Sequence, residues 1–565
     1  MKKHSFNIIQ LLMIIGIILM INVISAFFHI AVDFTGDKRY TLTKTTRNLL
    51  KEQDDVIYVK VLLDGNFPAL YKKIQESANE MLRDFNNINS HIEYDFENPL
   101  KGNVEEVNQA VELLRKDGMV GIGIKTNTTE STSVNYIFPY AIFHYGKRKF
   151  VVNLLEPMTT DVNEETWINN SISMLEYKFA NAIQKLRQKD SPTILFTEGK
   201  GELNEKQTAR LENKLLQYYQ VGRINLDSVH TIPAELDLLI VAKPTQPFSP
   251  KNQFLIDQYL MKGGNIIWLI DRLNMNLDSI NKQKFYIPEP YPLNLDDLWF
   301  KYGIRILPNL VQDLSCTRIP QVVGIQGNKP QIESFDWYYH LLVDPEGAHP
   351  IVSNLDKMNL YDPSSIDTIQ TSTRVKKTIL LKSSKYSRFQ LSPARVTFEI
   401  LKYPPEVDRF NKPHLPLAVL LEGEFESYFR NKLSQGTKEM LQQIKEPFRE
   451  KSEKPGKMIF VSDGDFIKNL YDSQTDKISP IGFNKWVQYT FIGNEDFITN
   501  SVEYMVEKRG VISARSKKVK FKMLDTIKAT NEMSLWQMVN IGIPLLFLIA
   551  FGLGFNYYRR RRYAS

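Results

Sequence analysis

Residues 535 to 558 read LWQMVNIGIPLLFLIAFGLGFNYY, a run of 24 residues without a charged side chain. About 20 apolar residues in a helix cross the hydrocarbon core of a bilayer, whereas a water-soluble helix carries polar residues along one face. Trp536 and the pair Tyr557 and Tyr558 stand where interfacial aromatic residues occur in membrane helices, and four arginines, 559 to 562, follow directly. The sequence therefore predicts a transmembrane helix over residues 535–558.

A second apolar run, from Ser5 to Val32, contains no Lys, Arg, Asp or Glu and follows Lys2 and Lys3. Its length favours an uncleaved membrane anchor. A cleaved signal peptide is the alternative, because Ile24-Ser25-Ala26 resembles a small-residue cleavage site, although the apolar run is longer than that of an ordinary signal peptide. We predict a transmembrane helix over residues 5–32.

Two spans at the extremities place both short tails on the same side of the membrane. Positive residues near short loops set the orientation, while long translocated domains are exempt from this rule. Both tails are basic and are therefore expected in the cytoplasm, with the body outside it. The predicted order is a tail (1–4), a membrane helix (5–32), a first α/β domain (33–190), a second α/β domain (191–495), a juxtamembrane helix and strand (496–534), a membrane helix (535–558) and a tail (559–565).

The composition indicates a folded body that binds no nucleic acid. Hydrophobic residues make up 43% of the 565 residues, which is enough to fill several cores. The net charge of +7 includes the four arginines at the C-terminus, so the body is nearly balanced. The basic run from Arg515 to Lys522 is expected to touch lipid head groups or to flank a solvated strand. Cys316 is the single cysteine, which excludes an intrachain disulfide framework and a cysteine-rich metal site.

The first domain begins with a β-branched strand over residues 56–63, followed by an amphipathic helix that opens at Pro68. Residues 92–96 alternate between apolar and acidic side chains, which is typical of a half-buried strand. A further helix over 104–116, several short strands and a last helix ending before Ser191-Pro192 complete the pattern. The domain is therefore predicted to be mixed α/β.

The second domain alternates strands and helices, with strands at 193–196, 238–241 and 266–270 and helices at 205–219 and 251–261. This alternation predicts a parallel sheet with right-handed crossovers. Ligands of such sheets lie beyond the carboxyl ends of the strands. Two interpretations of these strand ends stay open: loops that are polar only because they are solvated, or a ligand-binding site. The candidate residues for such a site are Glu198, Gly199, Lys200, Gly201, Glu202, Thr245, Asp271 and Arg272.

After these elements come a helix over 295–302, many short strands, and two buried strands at 414–421 and 458–461. Asp463 and Asp465 follow the last strand in the sequence Ser462-Asp463-Gly464-Asp465. Two aspartates at this spacing can ligate a hard cation, but no third ligand is assignable, so we interpret the segment as a turn and predict no metal site.

Several catalytic motifs are absent from the sequence. It contains no G-x-x-x-x-G-K-[ST] phosphate loop, no G-x-S-x-G elbow and no H-E-x-x-H helix. The second domain resembles amidotransferase-like folds, whose nucleophile is a cysteine on a tight turn, but Leu314-Ser315-Cys316-Thr317-Arg318 lacks the glycines of such a turn. We predict a protein that is not an enzyme and uses no cofactor.

Four segments carry a family resemblance: residues 34–43 (FTGDKRYTLT), the strand and helix after them, residues 416–423 (PLAVLLEG) and residues 493–497 (GNEDF). In these segments the chain resembles the GldG family of gliding-motility-associated ABC-transporter components, within the ABC-transporter auxiliary proteins. The resemblance covers essentially the whole chain. It implies a bacterial inner-membrane subunit, with its body in the periplasm, that works beside a separate ATPase and a polytopic permease.

The resemblance and the residues lead to the same expectation. Two helices do not line a transport pathway, and a chain without a nucleotide site does not power one. We therefore expect a non-ATPase accessory subunit of substrate-binding type in an ABC transporter associated with gliding motility. The alternative is a membrane-anchored periplasmic scaffold of motility or secretion machinery that binds protein partners only.

Overall fold

A computed structural model gives the structure of the chain and describes residues 13, 15–17, 20, 41–65, 67–127, 132–158, 163–188, 190–233, 235–327, 329–403, 405–443, 446–507, 509–516 and 532–563. The chain forms two units, residues 1–518 and 519–565. The predicted N-terminal span, 5–32, and the basic segment 517–522 lie almost wholly outside the described residues.

The N-terminal part of the body is built on a four-stranded sheet of order β2-β1-β5-β6. Its elements are α1 (Lys44–Lys51), β1 (Ile57–Val61), α2 (Ala69–Ile88), β2 (Ile92–Phe96), α3 (Val104–Lys116), β3 (Ile122–Asn127), β4 (Thr132–Ile137), β5 (Tyr140–Tyr145), β6 (Arg148–Asn153), α4 (Glu164–Ser173) and α5 (Leu175–Arg187).

Helix α2 is the crossover between the parallel strands β1 and β2. It buries Tyr71, Ile74, Ala78, Leu82 and Phe85, whose spacings of three and four residues place them on one face. Strand β1 alternates buried and half-buried residues in the register expected of a strand with one face on the core. The mixed α/β character predicted for this region is confirmed.

The larger part of the body holds a seven-stranded sheet of order β18-β21-β22-β10-β9-β7-β8. Its elements are β7 (Thr193–Glu198), α6 (Glu205–Leu215), β8 (Gln220–Asn225), β9 (Leu236–Ala242), α7 (Pro250–Met261), β10 (Asn265–Leu269), α8 (Leu277–Gln283), β11 (Phe285–Tyr286), α9 (Asp296–Tyr302), β12 (Ile304–Ile306), β13 (Asn309–Asp313), β14 (Cys316–Gln326), β15 (Lys329–Val343), β16 (Met358–Tyr361), β17 (Ile366–Thr368), β18 (Val375–Lys382), β19 (Ser387–Leu391), β20 (Val396–Thr397), β21 (Pro416–Gly423), α10 (Gln435–Gln443), β22 (Gly456–Val461), β23 (Tyr471–Asp472), β24 (Lys477–Ile478), β25 (Phe483–Asn484), β26 (Tyr489–Thr490) and α11 (Ile492–Val506).

Five neighbouring strands, β8, β7, β9, β10 and β22, are parallel, and β21 pairs antiparallel to β22. Taken in chain order, the parallel strands have the 2-1-3-4-5 arrangement of doubly wound sheets, with a topological switch point between β7 and β9. The sequence predicted β7, β9 and β10. It missed β8, because Gln220 to Asn225 contains Gly222 and Arg223 and lacks an apolar alternation.

The sheet is covered on both faces. One face packs Ile240 and Ile267 against α6 and α11. The other packs Val241 and Trp268 against α7 and α9. Strands that are buried on both faces need continuous apolar runs, and β9 reads Leu-Asp-Leu-Leu-Ile-Val-Ala. The larger part is therefore a three-layer α/β/α domain, to which the short sheets of the insertion between β10 and β22 are attached.

Helix α11 belongs to this domain. Phe497, Ile498 and Val502 are fully buried in the same core as β9 and β10, so residues 496–506, which the sequence assigned to a juxtamembrane segment, lie in the body. The same helix also contacts the N-terminal part, because Tyr177 of α5 donates a hydrogen bond of 2.6 Å to Glu503. These two parts of the body share an interface.

The second unit contains α12 (Met533–Tyr563). Within residues Met533–Arg561 the most apolar stretch of 18 residues has a mean hydropathy of 2.1, and none of that stretch is buried. It is the one described helix that is long and apolar enough to cross a bilayer. A candidate membrane helix at the C-terminus is thus present where the sequence predicted it.

Trp299 on α9 anchors one face of the large sheet and provides a test of the fold. Its ring lies edge-on at 5.6 Å from Trp268 and at 6.0 Å from Phe460, and it is 1% exposed. Replacing Trp299 by Ala leaves a cavity and should lower the free energy of unfolding by about 3–5 kcal/mol. The neighbouring Phe300 is 52% exposed, and its replacement by Ala should change stability by less than about 0.5 kcal/mol. Urea unfolding of the detergent-solubilised chain, followed by circular dichroism, compares them; equal losses would contradict the packing described.

Candidate functional site

The candidate site lies at the carboxyl edge of the parallel strands, where the sequence predicted it. The loop after β7 turns through two glycines with positive φ, Gly199 at 97° and Gly201 at 76°. A Cβ atom on Gly201 would lie 2.0 Å from Oγ1 of Thr245. Only glycine therefore permits the close approach between this loop and the loop after β9.

Backbone hydrogen bonds join the same two loops. The amides of Thr245 and Gln246 both donate to the carbonyl oxygen of Lys200 at 2.9 Å. The Lys200 amide in turn donates to Oε2 of Glu202 at 2.6 Å. Strands β7 and β9 flank the topological switch point. These bonds therefore join the two loops across the crevice in which doubly wound sheets usually hold a ligand.

An open cavity of about 550 Å³ lies beside this loop, at the start of α6. Its lining residues are Glu198, Gly199, Gly201, Glu202, Leu203, Asn204, Glu205, Lys206 and Arg223. Four of the five predicted residues from the β7–α6 loop thus line one cavity. Lys200 does not line it, because its ammonium group pairs with Asp227 at 2.8 Å.

The cations that line the cavity already have partners. Arg223, with its side chain 10% exposed, lies 2.5 Å from Glu212 and donates to the Leu203 carbonyl oxygen at 3.0 Å. The Lys206 ammonium lies 4.0 Å from the centre of the Tyr471 ring. Glu198, Glu202 and Glu205 contribute three carboxylates to the lining. The cavity is therefore acidic, and its chemistry suits a cationic or hydroxyl-bearing group better than an anion.

Beyond β9, β10 and β22 the structure gathers a buried cluster of charges, here called the Lys243 cluster and formed by Lys243, Asp271, Asp362, Asp463 and Asp465. The Lys243 ammonium lies 2.9 Å from Asp271 and 2.6 Å from Asp465. Lys468 lies 3.0 Å from the second oxygen of Asp465. Lys243 thus bridges the carboxylates that follow two neighbouring strands.

The turn after β22 completes the cluster. The Gly464 amide donates to Asp271 at 2.5 Å, and the Asp465 amide donates to Asp463 at 2.8 Å. A Cβ on Gly464 would lie 2.9 Å from Lys243 and 3.0 Å from Asp271, so any other residue would force these side chains to shift. The two aspartates predicted to form a turn do so, and the ammonium group of Lys243 contacts one of them, Asp465.

The carboxyl groups of the cluster titrate differently. Burial raises the pKa of Asp463 well above its ordinary value, and the nearby Asp271 and Asp465 raise it further. Burial also raises the pKa of Asp362, to which the same two neighbours add. For Asp465 burial acts in the same direction, but the Lys243 and Lys468 ammonium groups outweigh it and lower its pKa. The cluster therefore favours protonated carboxyl groups beside an ionised pair.

The eight predicted site residues thus fall into separate places. Thr245 lies against the loop after β7, Asp271 belongs to the Lys243 cluster, and Arg272 pairs with Asp296 at 3.1 Å. Sequence reasoning missed the cluster as a unit, and Asp362 altogether. The available signal was a polar residue directly after three buried strands, Lys243, Asp271 and Asp463, since neighbouring parallel strands bring such residues together.

Cys316 lies in β14, opposite Leu341. Burial, together with Asp336 and Asp313, raises the pKa of its thiol to about 12. A cysteine nucleophile needs the thiolate, which a lowered pKa supplies. In this environment Cys316 behaves as a small, half-buried apolar residue.

Comparison with known proteins adds a family. A family model described as an ABC-type uncharacterized transport system matches residues 191–501, more than half of the chain, and a domain of unknown function matches residues 36–144. An uncharacterized protein of Borreliella burgdorferi is 22% identical over 461 residues, 78% of this chain and 82% of that protein. The solved mmIFT52 N-terminal domain is 11% identical, with a TM-score of 0.31 over 56% of this chain and 98% of that one, which is too low to establish a shared fold. The resemblance to ABC-transporter auxiliary proteins is confirmed at family level; the link to gliding stays a prediction.

Replacing Lys243 by Met tests whether the cluster holds the sheet edge together. The change leaves Asp271 and Asp465 buried without their shared counter-charge, which should cost about 3–5 kcal/mol of unfolding free energy at neutral pH. Lys468 contacts Asp465 from the surface, so its replacement by Met should cost less than about 1 kcal/mol. Thermal unfolding of both variants compares them, and a Lys243 variant as stable as the Lys468 variant would show that the cluster is not structural.

Proposed function

We infer that this chain, which belongs to the family described as an ABC-type uncharacterized transport system, is a membrane-anchored accessory subunit of an ABC transporter. The observation that carries this proposal is α12, whose apolar residues are exposed along a length that spans a bilayer. Since the sequence contains no phosphate-binding loop, the energy for transport comes from a separate ATPase subunit. The chain itself catalyses no reaction.

The partners follow from the anchoring. An apolar helix in a bilayer packs against lipid or against other helices, and one or two helices do not form a transport pathway. A polytopic permease subunit therefore supplies that pathway and binds α12. Membrane lipid is the second partner, reached through the arginines after the span. In the finer form of this proposal the complex is that of gliding motility, which rests on the family resemblance of residues 34–43, 416–423 and 493–497.

The proposed topology has two spans, with both termini in the cytoplasm and the body in the periplasm of a bacterial inner membrane. It rests on the basic tails and on the second apolar run, residues 5–32. A chain without cysteine pairs is compatible with the cytoplasm and with the periplasm. The orientation is therefore inferred from the basic tails.

Two roles remain for the body. The acidic cavity beside Glu198 and Glu202 supports a substrate-binding role, because its 550 Å³ is in the range of small-molecule sites. The backbone bonds between Lys200 and Thr245 favour the other role, a scaffold that binds protein partners only, because they fill the switch-point crevice. A ligand that binds the folded state raises its melting temperature by mass action. Thermal shifts with cationic and polyhydroxyl compounds, on the full chain and on a Glu198→Arg variant, separate the roles: a shift lost in the variant supports a cavity ligand, and no shift supports the scaffold.

Co-purification tests the accessory role itself. We expect the chain, solubilised in a mild detergent and captured through a tag, to carry an ATPase subunit and a polytopic permease in fixed ratio. Removing residues 533–563 should abolish the co-purification of the permease, since α12 provides the contact within the membrane. A full-length chain that reproducibly purifies alone would refute the proposal.

Reporter fusions test the topology. A reporter placed after Ser565 should be active only in a form that functions in the cytoplasm, and one inserted after Gly436, on an exposed segment of the body, should be active only in a periplasmic form. A periplasmic C-terminal reporter would overturn the assigned orientation. N-terminal sequencing of the mature chain decides whether residues 5–32 are retained.

A further inference from the structure

Strands β14 and β15 form a ribbon whose outer half extends beyond the body. From Arg318 to Gln326 β14 pairs only with β15, while β15 pairs with β16 only from His340 onward. Between Arg318 and Glu333 the ribbon has one charged residue, Lys329, and its described side chains from Val322 to Ile332 are exposed. The base is held by Trp337, which is fully buried.

A β-bulge places four apolar residues of the outer ribbon on one face. Val322 pairs with Ile332, and Ile325 pairs with Pro330. Val322 and Ile325 are three residues apart and would point to opposite faces of a regular strand. The register shift after Val322 adds one residue to β14, so that both pairs share the same face.

This surface, called here the ribbon face, consists of Val322, Ile325, Pro330 and Ile332. Val322 is 64%, Ile325 76% and Ile332 63% exposed. The opposite face is polar along the same length, with Gln321 paired to Glu333 and Gln326 paired to Lys329. Nearer the base that opposite face turns into the core through Ile319, which is fully buried. The ribbon thus exposes its apolar side to solvent, whereas an isolated chain would bury that side. Exposed apolar patches of this kind mark interaction sites.

The ribbon excludes some modes of contact. Pro320 in β14 and Pro330 in β15 lack an amide donor, which weakens the addition of a further strand at either edge. The described residues at the tip, Gln326, Gly327 and Lys329, are exposed and not apolar, so insertion into a bilayer would bury polar groups first. What remains is packing of the ribbon face, through its side chains, against another apolar protein surface.

We propose that the ribbon face binds the same face of a second copy of this chain. Two-fold contacts place identical residues opposite each other, so they suit a surface that carries no net charge. The ribbon face has no charged side chain, and the exposed Arg318 and Asp336 at its base are paired with each other at 2.8 Å. Two such faces pack as the inner faces of stacked sheets do.

The contact is small, which limits it to membrane-tethered chains. Four aliphatic side chains fall well below the roughly 800 Å² per partner of a stable soluble dimer. Anchoring of two copies in one bilayer raises their effective concentration and makes so small a contact sufficient. This step rests on the proposed membrane anchor, while the dimer itself goes beyond the proposed accessory role.

Cysteine crosslinking of the full chain in native membranes tests the dimer. Cys316, the only native cysteine, is replaced by Ser, and Ile325→Cys is introduced on the ribbon face; Gln326→Cys, one residue away on the opposite face, is the matched control. Two copies with different epitope tags are expressed together and treated with a short bis-maleimide. We expect a dimer band carrying both tags for position 325 and at most a trace for position 326.

A second change makes the test specific. Ile332→Asp, added to the Ile325→Cys chain, places two carboxylates against each other across the two-fold contact and should lower the dimer yield by more than about tenfold. Ile332 is exposed, so folding should be unaffected, and an unchanged melting temperature checks this. Equal yields at positions 325 and 326, or an adduct carrying only one tag and a different protein, would overturn the proposal. Co-purification with transporter subunits is measured in a separate experiment. Failure of the dimer proposal can therefore be distinguished from failure of the proposed accessory role.

Discussion

The pairing of β22 with β10 is the contact on which the rest of the body depends. These strands are adjacent and parallel from Asn265↔Lys457 to Leu269↔Val461, although the whole insertion lies between them in sequence. Closing so long a loop has an entropic cost that the buried strand must offset. Met458, Ile459, Phe460 and Val461 are fully buried on both faces of the sheet, which provides that stabilisation and returns the chain to the core.

The same pairing creates the polar edge. Since β9, β10 and β22 end side by side, the residues after them, Lys243, Asp271 and Asp463, meet in one cluster. At this edge of the sheet, ion pairs connect the loops. The backbone hydrogen bond between Lys200 and Thr245 spans the crevice at the switch point. The cavity described above lies instead at the start of α6, where it is open to solvent and acidic.

Helix α12 and the ribbon face both expose apolar side chains that a water-soluble monomer would bury. The proposed roles divide them: α12 faces lipid and a permease, and the ribbon face meets a second copy. The body itself is held together by core packing, as the cluster of Trp268, Trp299 and Phe460 illustrates.

The sequence by itself determined the local elements and the candidate membrane helix. Periodicity and turn residues located β7, β9, β10 and α7, because apolar burial sets those patterns within a few residues, and an uninterrupted apolar run of bilayer length admits few other interpretations. Only the tertiary structure decided that β22 joins β10, that β8 is a strand despite Gly222 and Arg223, and that Lys243 bridges Asp271 and Asp465. Strand order and charge pairing arise from contacts between residues far apart in the chain, and one sequence carries no local signal for them. For the same reason the predicted site residues lie along one edge of the sheet but are not brought together in one place.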